Sequence, residues 1–178
     1  MRAFRRLLFI ATLAASLSGF ANTFVRVESE RGYQLNETLW KTEWGSYLKA
    51  REDIRRIAVK VRNNTDRART YIIEWYFLAK NPLDRELSVS CWGRVEKKLG
   101  PTEEVTYHIV SDRIVGIDEN YQALGERYYT GGEFNGYLVT VREGDKFIRK
   151  EGSKLASSQF VKKAMGLARQ VNPDMPKE

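Results

Sequence analysis

The sequence predicts an all-β fold, an antiparallel β-sandwich of about seven strands with a short C-terminal helix. Apolar and polar residues alternate along most of the chain after residue 23, which is the period of a strand with one buried face. Residues that favour turns separate the alternating segments at the spacing typical of a sandwich. The alternation and the regular turn signals together are the basis of this prediction.

Seven segments carry the alternation. The clearest has Ile57, Val59 and Val61 on one face and basic residues on the other, and Asn63 begins the turn that follows. Near the end of the chain, the Gly144-Asp145 pair supplies the turn of a hairpin. The predicted strands are 24–28, 53–63, 68–80, 87–95, 102–110, 136–143 and 147–151.

Two stretches have helical character. Ser157 or Ser158 caps a segment whose apolar residues recur at helical spacing, and Asn172-Pro173 ends it. We expect this helix, 157–171, to pack on the sandwich and to precede a polar tail, 172–178. A turn or two of helix is also predicted at 118–127, inside a long connection, 111–134, of the kind that is usually functional or mobile.

The strand at 68–80 differs from the others because it is apolar on both faces. Ile73 and Phe77 lie on one face, and Ile72, Tyr76 and Leu78 lie on the other. A contiguous exposed apolar patch marks an interaction site. We therefore expect the second face of this strand to be a surface for association.

The first 21 residues have the pattern of a secretory signal. Arg2, Arg5 and Arg6 precede an apolar run, 7–17, that is too short to span a membrane, and small residues lead up to Ala21. The sequence predicts a signal peptide, 1–21, followed by a sandwich domain, 22–156, with an uncleaved anchor helix as the alternative. It places the protein in the periplasm or at the cell surface of a Gram-negative-type bacterium, with no stable membrane insertion after cleavage.

Charge and cysteine content exclude some classes of function. The formal charge of +7 falls to +4 without the signal, from 27 basic and 23 acidic residues, which is too mild and too mixed to indicate a nucleic-acid partner. The single cysteine, Cys91, can form no internal disulfide and is predicted to be a buried small hydrophobe.

No catalytic pattern is evident. The one histidine, His108, is predicted to be a surface residue of a strand, and the sequence contains no HExxH, GxSxG, P-loop or CxxC pattern. The acidic pairs all fall at predicted turns or strand starts, where carboxylates are normally solvated; they are Glu103-Glu104, Asp118-Glu119 and Glu143 with Asp145. The sequence therefore predicts no enzyme, no cofactor site and no metal site.

The final hairpin carries a resemblance to a known group. Gly136-Tyr137-Leu138-Val139-Thr140-Val141, then Gly144, then Phe147-Ile148, lead through Ser157 to Phe160, and Trp44-Gly45-Ser46-Tyr47 stands earlier in the chain. This pattern resembles small exported immunoglobulin-like or fibronectin-like β-sandwich proteins of verrucomicrobial and planctomycete bacteria. Some of those look like components or partners of pili, which implies assembly, and no catalytic residues come with the group. Trp75 stands where antibody-type domains have their core tryptophan, but the inter-sheet disulfide of those domains is absent.

The predicted function is association, without catalysis, with itself or with other exported proteins of the cell envelope, in a pilus or secretion assembly. Aromatic residues beside an arginine and glycines are what protein interfaces enrich. The alternative is a carbohydrate-binding module in which Trp40, Trp44, Tyr128 and Tyr129 form a stacking platform. Cover for the open ends of the sandwich would also explain the aromatic residues. The predicted interaction surface comprises Ile72, Tyr76, Leu78, Trp40, Trp44, Tyr121, Arg127, Tyr128 and Tyr129.

Overall fold

The computed structural model describes residues 23–41, 47–121, 124–153 and 158–177, with the backbone alone over 29–40. The predicted signal peptide, 1–21, lies outside the described residues. The elements are β1 Phe24–Lys41, β2 Tyr47–Arg62, β3 Arg69–Lys80, β4 Leu87–Leu99, β5 Glu104–Val110, β6 Ile114–Tyr121, β7 Glu126–Gly131, β8 Glu133–Glu143, β9 Lys146–Gly152 and α1 Ser158–Val171.

The strands form two antiparallel sheets that pack face to face. The first sheet is built on β2, whose second half pairs with β5 and whose first half pairs with β6. Strand β1 runs along the whole of β2 on its other side, and β7 pairs with β6. The second sheet has the order β4-β3-β8-β9. This arrangement confirms the all-β sandwich.

The main core fills the space between the two sheets. Ile57, Val59 and Val61 of β2 are buried there, as their alternation predicts, and Ile73 and Phe77 of β3 meet them from the second sheet. The partly buried residues that pack against this core include Trp75, at the predicted core-tryptophan position, and Cys91. The thiol is therefore a partly buried apolar neighbour of the core, not a fully buried one.

Strand β4 pairs with β3 in the second sheet. In immunoglobulin domains of the constant type, the fourth strand instead joins the first sheet. The chain thus has the sandwich architecture with a different position for this strand.

Two strands lie where the sequence predicts a short helix. The described residues contain nine strands and not about seven, because β6 and β7 form a hairpin across most of the predicted connection. The prediction of a helical turn at 118–127 is wrong. Strand β6 pairs with β2 from Tyr47↔Asn120 to Asp53↔Ile114, and this long-range pairing outweighs the weak local preference of a polar segment.

Helix α1 covers the outer face of the second sheet and forms a second core. Ala164, Met165 and Ala168 of the helix pack against Tyr76 and Leu78 of β3, and the helix docking predicted from the sequence is confirmed. Tyr76 and Leu78 are fully buried and Ile72 is 8% exposed. The expectation that Ile72, Tyr76 and Leu78 form an exposed surface is wrong, because the chain supplies its own cover for them.

A buried polar network lies under the end of the helix. Glu74 and Arg142 form an ion pair with Nη2 3.2 Å from Oε1, and the Thr140 hydroxyl donates to Glu74 at 3.1 Å. Asn172, directly after the helix, donates to Glu74 at 3.0 Å and to the Tyr76 hydroxyl at 2.9 Å. Each side chain of this network forms a hydrogen bond or ion pair with another, as buried polar groups require. None of the helices in the described part of the chain is long and apolar enough to cross a membrane.

Candidate functional site

The first sheet extends well beyond the sandwich core. We call the part formed by 33–41, 47–54, 114–121 and 126–131 the extension sheet. Successive side chains of a strand point to opposite faces. Asp53 and Arg51 therefore continue the face of Ile57 that meets the core, and we call this the inner face. Leu48 and Ala50 continue the solvent side of β2, which we call the outer face.

The inner face of the extension sheet is polar, and charged side chains on it contact one another. Arg127 donates to both oxygens of Asp118, at 2.8 and 2.6 Å. This bidentate hydrogen bonding holds the pKa of the Asp118 carboxyl below its ordinary value. Asp53 is 2% exposed and lies 3.5 Å from Arg51 and 3.3 Å from Arg55. Arg51 and Arg55 thus share one buried carboxylate, and among the described residues the Nε atom of each has no hydrogen-bond partner.

Tyr129 also lies on the inner face. A Cβ placed on Gly116 would overlap the Tyr129 hydroxyl, so the glycine is what lets this ring lie against β6. The surrounding protein desolvates the phenol and raises the pKa of Tyr129 to about 12. This side chain packs within the fold and is not presented to solvent as a free platform.

The outer face carries exposed apolar and aromatic side chains among carboxylates. Val115 is 38% exposed, Tyr121 is 40% exposed and Tyr128 is 51% exposed. Half-buried Leu48, Ala50 and Ile117 lie on the same face. Because most solvent-facing sheets alternate apolar-in with polar-out, a run of this kind on the wet side of an antiparallel sheet is unusual.

Carboxylates hold the two exposed tyrosines in place. The Tyr121 hydroxyl donates to Glu119 at 3.0 Å, and the Tyr128 hydroxyl donates to Glu126 at 2.7 Å. In each case the hydrogen bond to the carboxylate raises the pKa of the phenol. The two rings contact edge to face, with centroids 6.0 Å apart and an interplanar angle of 72°. The result is an aromatic pair bordered by negative charge.

The structure divides the predicted site residues among several places. Tyr121 and Tyr128 come together on the outer face, whereas Arg127 and Tyr129 lie on the inner face. Trp44 lies outside the described residues, and only the backbone of Trp40, opposite Leu48, is described. Because neighbouring Tyr128 and Tyr129 point to opposite faces, the predicted stacking platform cannot include both.

Sequence reasoning missed the aliphatic part of the outer face. Leu48, Ala50, Val115 and Ile117 are absent from the predicted surface. The signal was present, since Leu48, Ala50 and Ile54 alternate with charged residues. If this alternation had been interpreted as a strand, the strand predicted at 53–63 would have begun several residues earlier, as β2 does.

Several of the carboxylates considered for catalysis form hydrogen bonds or ion pairs within the fold. Glu103 accepts a hydrogen bond from the backbone of Gly100 at 2.7 Å, and Glu143 lies 2.7 Å from Arg69. His108 is exposed on β5, as predicted. Among the described residues, no group of three or more His, Cys, Asp or Glu side chains could hold a metal ion.

Comparison with known proteins gives no family. No family model matches the chain, and no curated protein matches it. Among solved structures, one from Akkermansia muciniphila has a TM-score of 0.37 and 14% identity, covering 79% of this chain and 74% of that one. DesR, a β-glucosidase from Streptomyces venezuelae, has a TM-score of 0.30 and 16% identity, covering 70% of this chain and 14% of its own.

A β-glucosidase from Kluyveromyces marxianus is comparably distant. Its TM-score is 0.32 at 20% identity, over 73% of this chain and 14% of its own. The chain thus spans only a small part of the two glucosidases. The strand pairing assigns this protein to the β-sandwich class. The predicted kinship with verrucomicrobial and planctomycete proteins stays a prediction.

Proposed function

We propose that this is a non-enzymatic, exported protein of the cell envelope that binds itself or other exported proteins through the outer face of the extension sheet. The observation that carries the proposal is the exposure of Val115, Tyr121 and Tyr128 beside half-buried aliphatic residues on one face of the sheet. Exposed apolar patches rimmed by polar groups are typical of protein interfaces. Export rests on the predicted signal peptide.

Two further features support binding of protein. Tyrosine gives a large contact area at a low cost in side-chain entropy, and the hydrogen bonds to Glu119 and Glu126 reduce that cost further. Strand β7 lies at the end of the described strand order β1-β2-β6-β7. A sheet edge of this kind offers backbone groups to an incoming strand.

The aromatic geometry favours protein over carbohydrate. The rings of Tyr121 and Tyr128 are inclined at 72° and share no common plane for a sugar ring to stack on. Each hydroxyl is also engaged by a carboxylate of its own strand. The assembly that the protein serves is proposed to be a pilus or a secretion assembly, on the resemblance carried by the final hairpin and helix.

Photo-crosslinking in cells tests the proposal. The full chain, expressed with its own leader, would carry photoreactive benzoylphenylalanine in place of Tyr128. A matched control would carry it in place of Asp145, which is exposed at the β8–β9 turn. We expect adducts to protein from position 128 alone, in the envelope fraction. No adduct from position 128, equal adducts from both positions, or a protein retained in the cytoplasm would contradict the proposal.

A further inference from the structure

The outer face of the extension sheet is continuous with the outer face of the sandwich. Strand β2 keeps its alternation within 47–53, against β6, and within 56–62, against β5, and β1 runs along both parts with register shifts between Glu30 and Tyr33 and between Leu35 and Glu37. One surface therefore has two halves. We call the outer face of 24–28, 56–62 and 104–110 the basic half, and the outer face of the extension sheet the aromatic half.

The basic half carries an excess of positive charge. Two ion pairs lie within it, Arg26 with Glu28 at 2.7 Å and Lys60 with Glu104 at 2.7 Å. Arg62 is exposed on the same face. Arg62 thus adds a positive charge to the two ion pairs, and the described side chains of the basic half have a net positive charge. Val110, 52% exposed, adds an apolar contact at the end of β5.

The aromatic half has the opposite sign. Its described carboxylates are Glu52, Glu119 and Glu126, and the cation beside them is Arg113, 3.4 Å from Glu52. Glu119 and Glu126 accept hydrogen bonds from neutral tyrosine hydroxyls, which leaves their charge in place. By this count the described side chains give the aromatic half a net charge opposite in sign to that of the basic half.

We propose that the partner on the aromatic half is a second copy of this chain, whose basic half covers it. This rests on the proposed function and names the partner. In a two-fold dimer each copy contributes both halves, so one self-complementary surface makes two equivalent contacts. The basic side chains would lie over Tyr121 and Tyr128, where guanidinium groups meet aromatic faces favourably.

The size of the surface fits such a dimer. Four strands about 4.8 Å apart and about eight residues long give roughly 500 Å² for the aromatic half. Three strands of about seven residues give roughly 350 Å² for the basic half. Their sum is close to the ~800 Å² per partner that a specific interface of standard size buries.

Charge reversal tests the inference. An acid-reversed variant, Glu119→Arg with Glu126→Arg, makes both halves positive, and a base-reversed variant, Lys60→Glu with Arg62→Glu, makes both halves negative. We expect the wild-type protein to have the mass of a dimer by light scattering, and each variant alone to show a twofold lower mass. An equimolar mixture should recover the dimer, because both contacts regain opposite charges.

Lys97→Glu with Lys98→Glu, exposed on β4 of the second sheet, is the matched control and should leave the dimer intact. Circular dichroism verifies that each variant is folded. A wild-type monomer at every concentration, a dimer that survives both reversals, or folded monomeric variants that fail to pair on mixing would each overturn the inference. A wild-type monomer that still gives adducts to other proteins from position 128 would leave the proposed function standing.

Discussion

Asn172 donates a hydrogen bond to Glu74 Oε1 at 3.0 Å, across a separation of 98 residues in the chain. Glu74 is fully buried in the middle of the second sheet, and Asn172 is 2% exposed just beyond helix α1. One amide therefore fastens the end of the helix to the sheet that the helix covers. The docking of α1 is specified by this polar contact as well as by apolar packing.

Replacing Asn172 by Ala should destabilise the protein by about 1–3 kcal/mol, since a buried carboxylate and a buried phenol each lose a partner. Urea unfolding followed by tryptophan fluorescence would measure the change. Gln170→Ala, at an exposed position of the same helix, is the control and should stay within about 0.5 kcal/mol of wild type. Equal stability of the two variants would show that the amide contributes nothing.

Removing only Arg142 from the Glu74–Arg142 ion pair should destabilise the protein more than removing both partners. Arg142→Met leaves a carboxylate buried without its cation and is expected to cost about 3–5 kcal/mol. The double variant Glu74→Met with Arg142→Met should be clearly more stable than Arg142→Met, because no unpaired charge remains. Unfolding free energies of the two variants and of wild type would give the comparison. Additive losses in the double variant would contradict it.

The side chain of Asn63 is expected to stabilise the turns at one end of the sandwich through its hydrogen bonds. Its side-chain amide donates to the carbonyls of Arg67, Leu99 and Gly100 at 2.7, 3.2 and 2.9 Å, and the residue is fully buried. Asn63→Ala should cost about 2 kcal/mol, because one buried and two partly buried carbonyls lose their donor together. Asp66→Ala, exposed in the same turn, should have little effect, and a similar loss in both would argue against this role.

Strands with one buried face were predictable from the sequence. The segment around Ile57, Val59 and Val61 ends within one residue of the observed end of β2, because a polar turn follows it directly. Alternation fixes faces but not neighbours. The β6–β7 hairpin was missed for this reason, since Asp118, Glu119 and Asn120 become a strand only by pairing with 47–49.

The candidate site was predictable only in part. Tyr121 and Tyr128 stand out by composition, but which of the neighbours Tyr128 and Tyr129 is open to solvent depends on recognising β7 as a strand. The outer face of β3 was wrongly expected to be open because its cover comes from α1, which follows β3 by 78 positions in the chain. Local pattern shows that a face is apolar, and tertiary structure decides what covers it.

Stability should fall as the pH rises from 10 to 12. Desolvation by the surrounding protein raises the pKa of Tyr76 and of Tyr129 from 10.0 to about 12. Between these values the unfolded chain has lost the phenolic proton while the folded chain keeps it. The unfolded state then binds fewer protons, so the free energy of unfolding decreases with rising pH. The stabilisation is fully present below pH 10 and is lost through about pH 12.

Tyr76→Phe and Tyr129→Phe should each make this alkaline decline shallower, and the double variant should be shallower still. Urea unfolding at a series of pH values measures the slopes, and ultraviolet absorbance of the phenolates measures ionisation directly. Burial also raises the pKa of Tyr107 and Tyr137, so some decline should remain in the double variant. Below the ordinary pKa of tyrosine, the variants and wild type should share one pH dependence. If wild type and the variants lose stability with the same slope between pH 10 and 12, Tyr76 and Tyr129 ionise in the folded protein as they do in the unfolded chain.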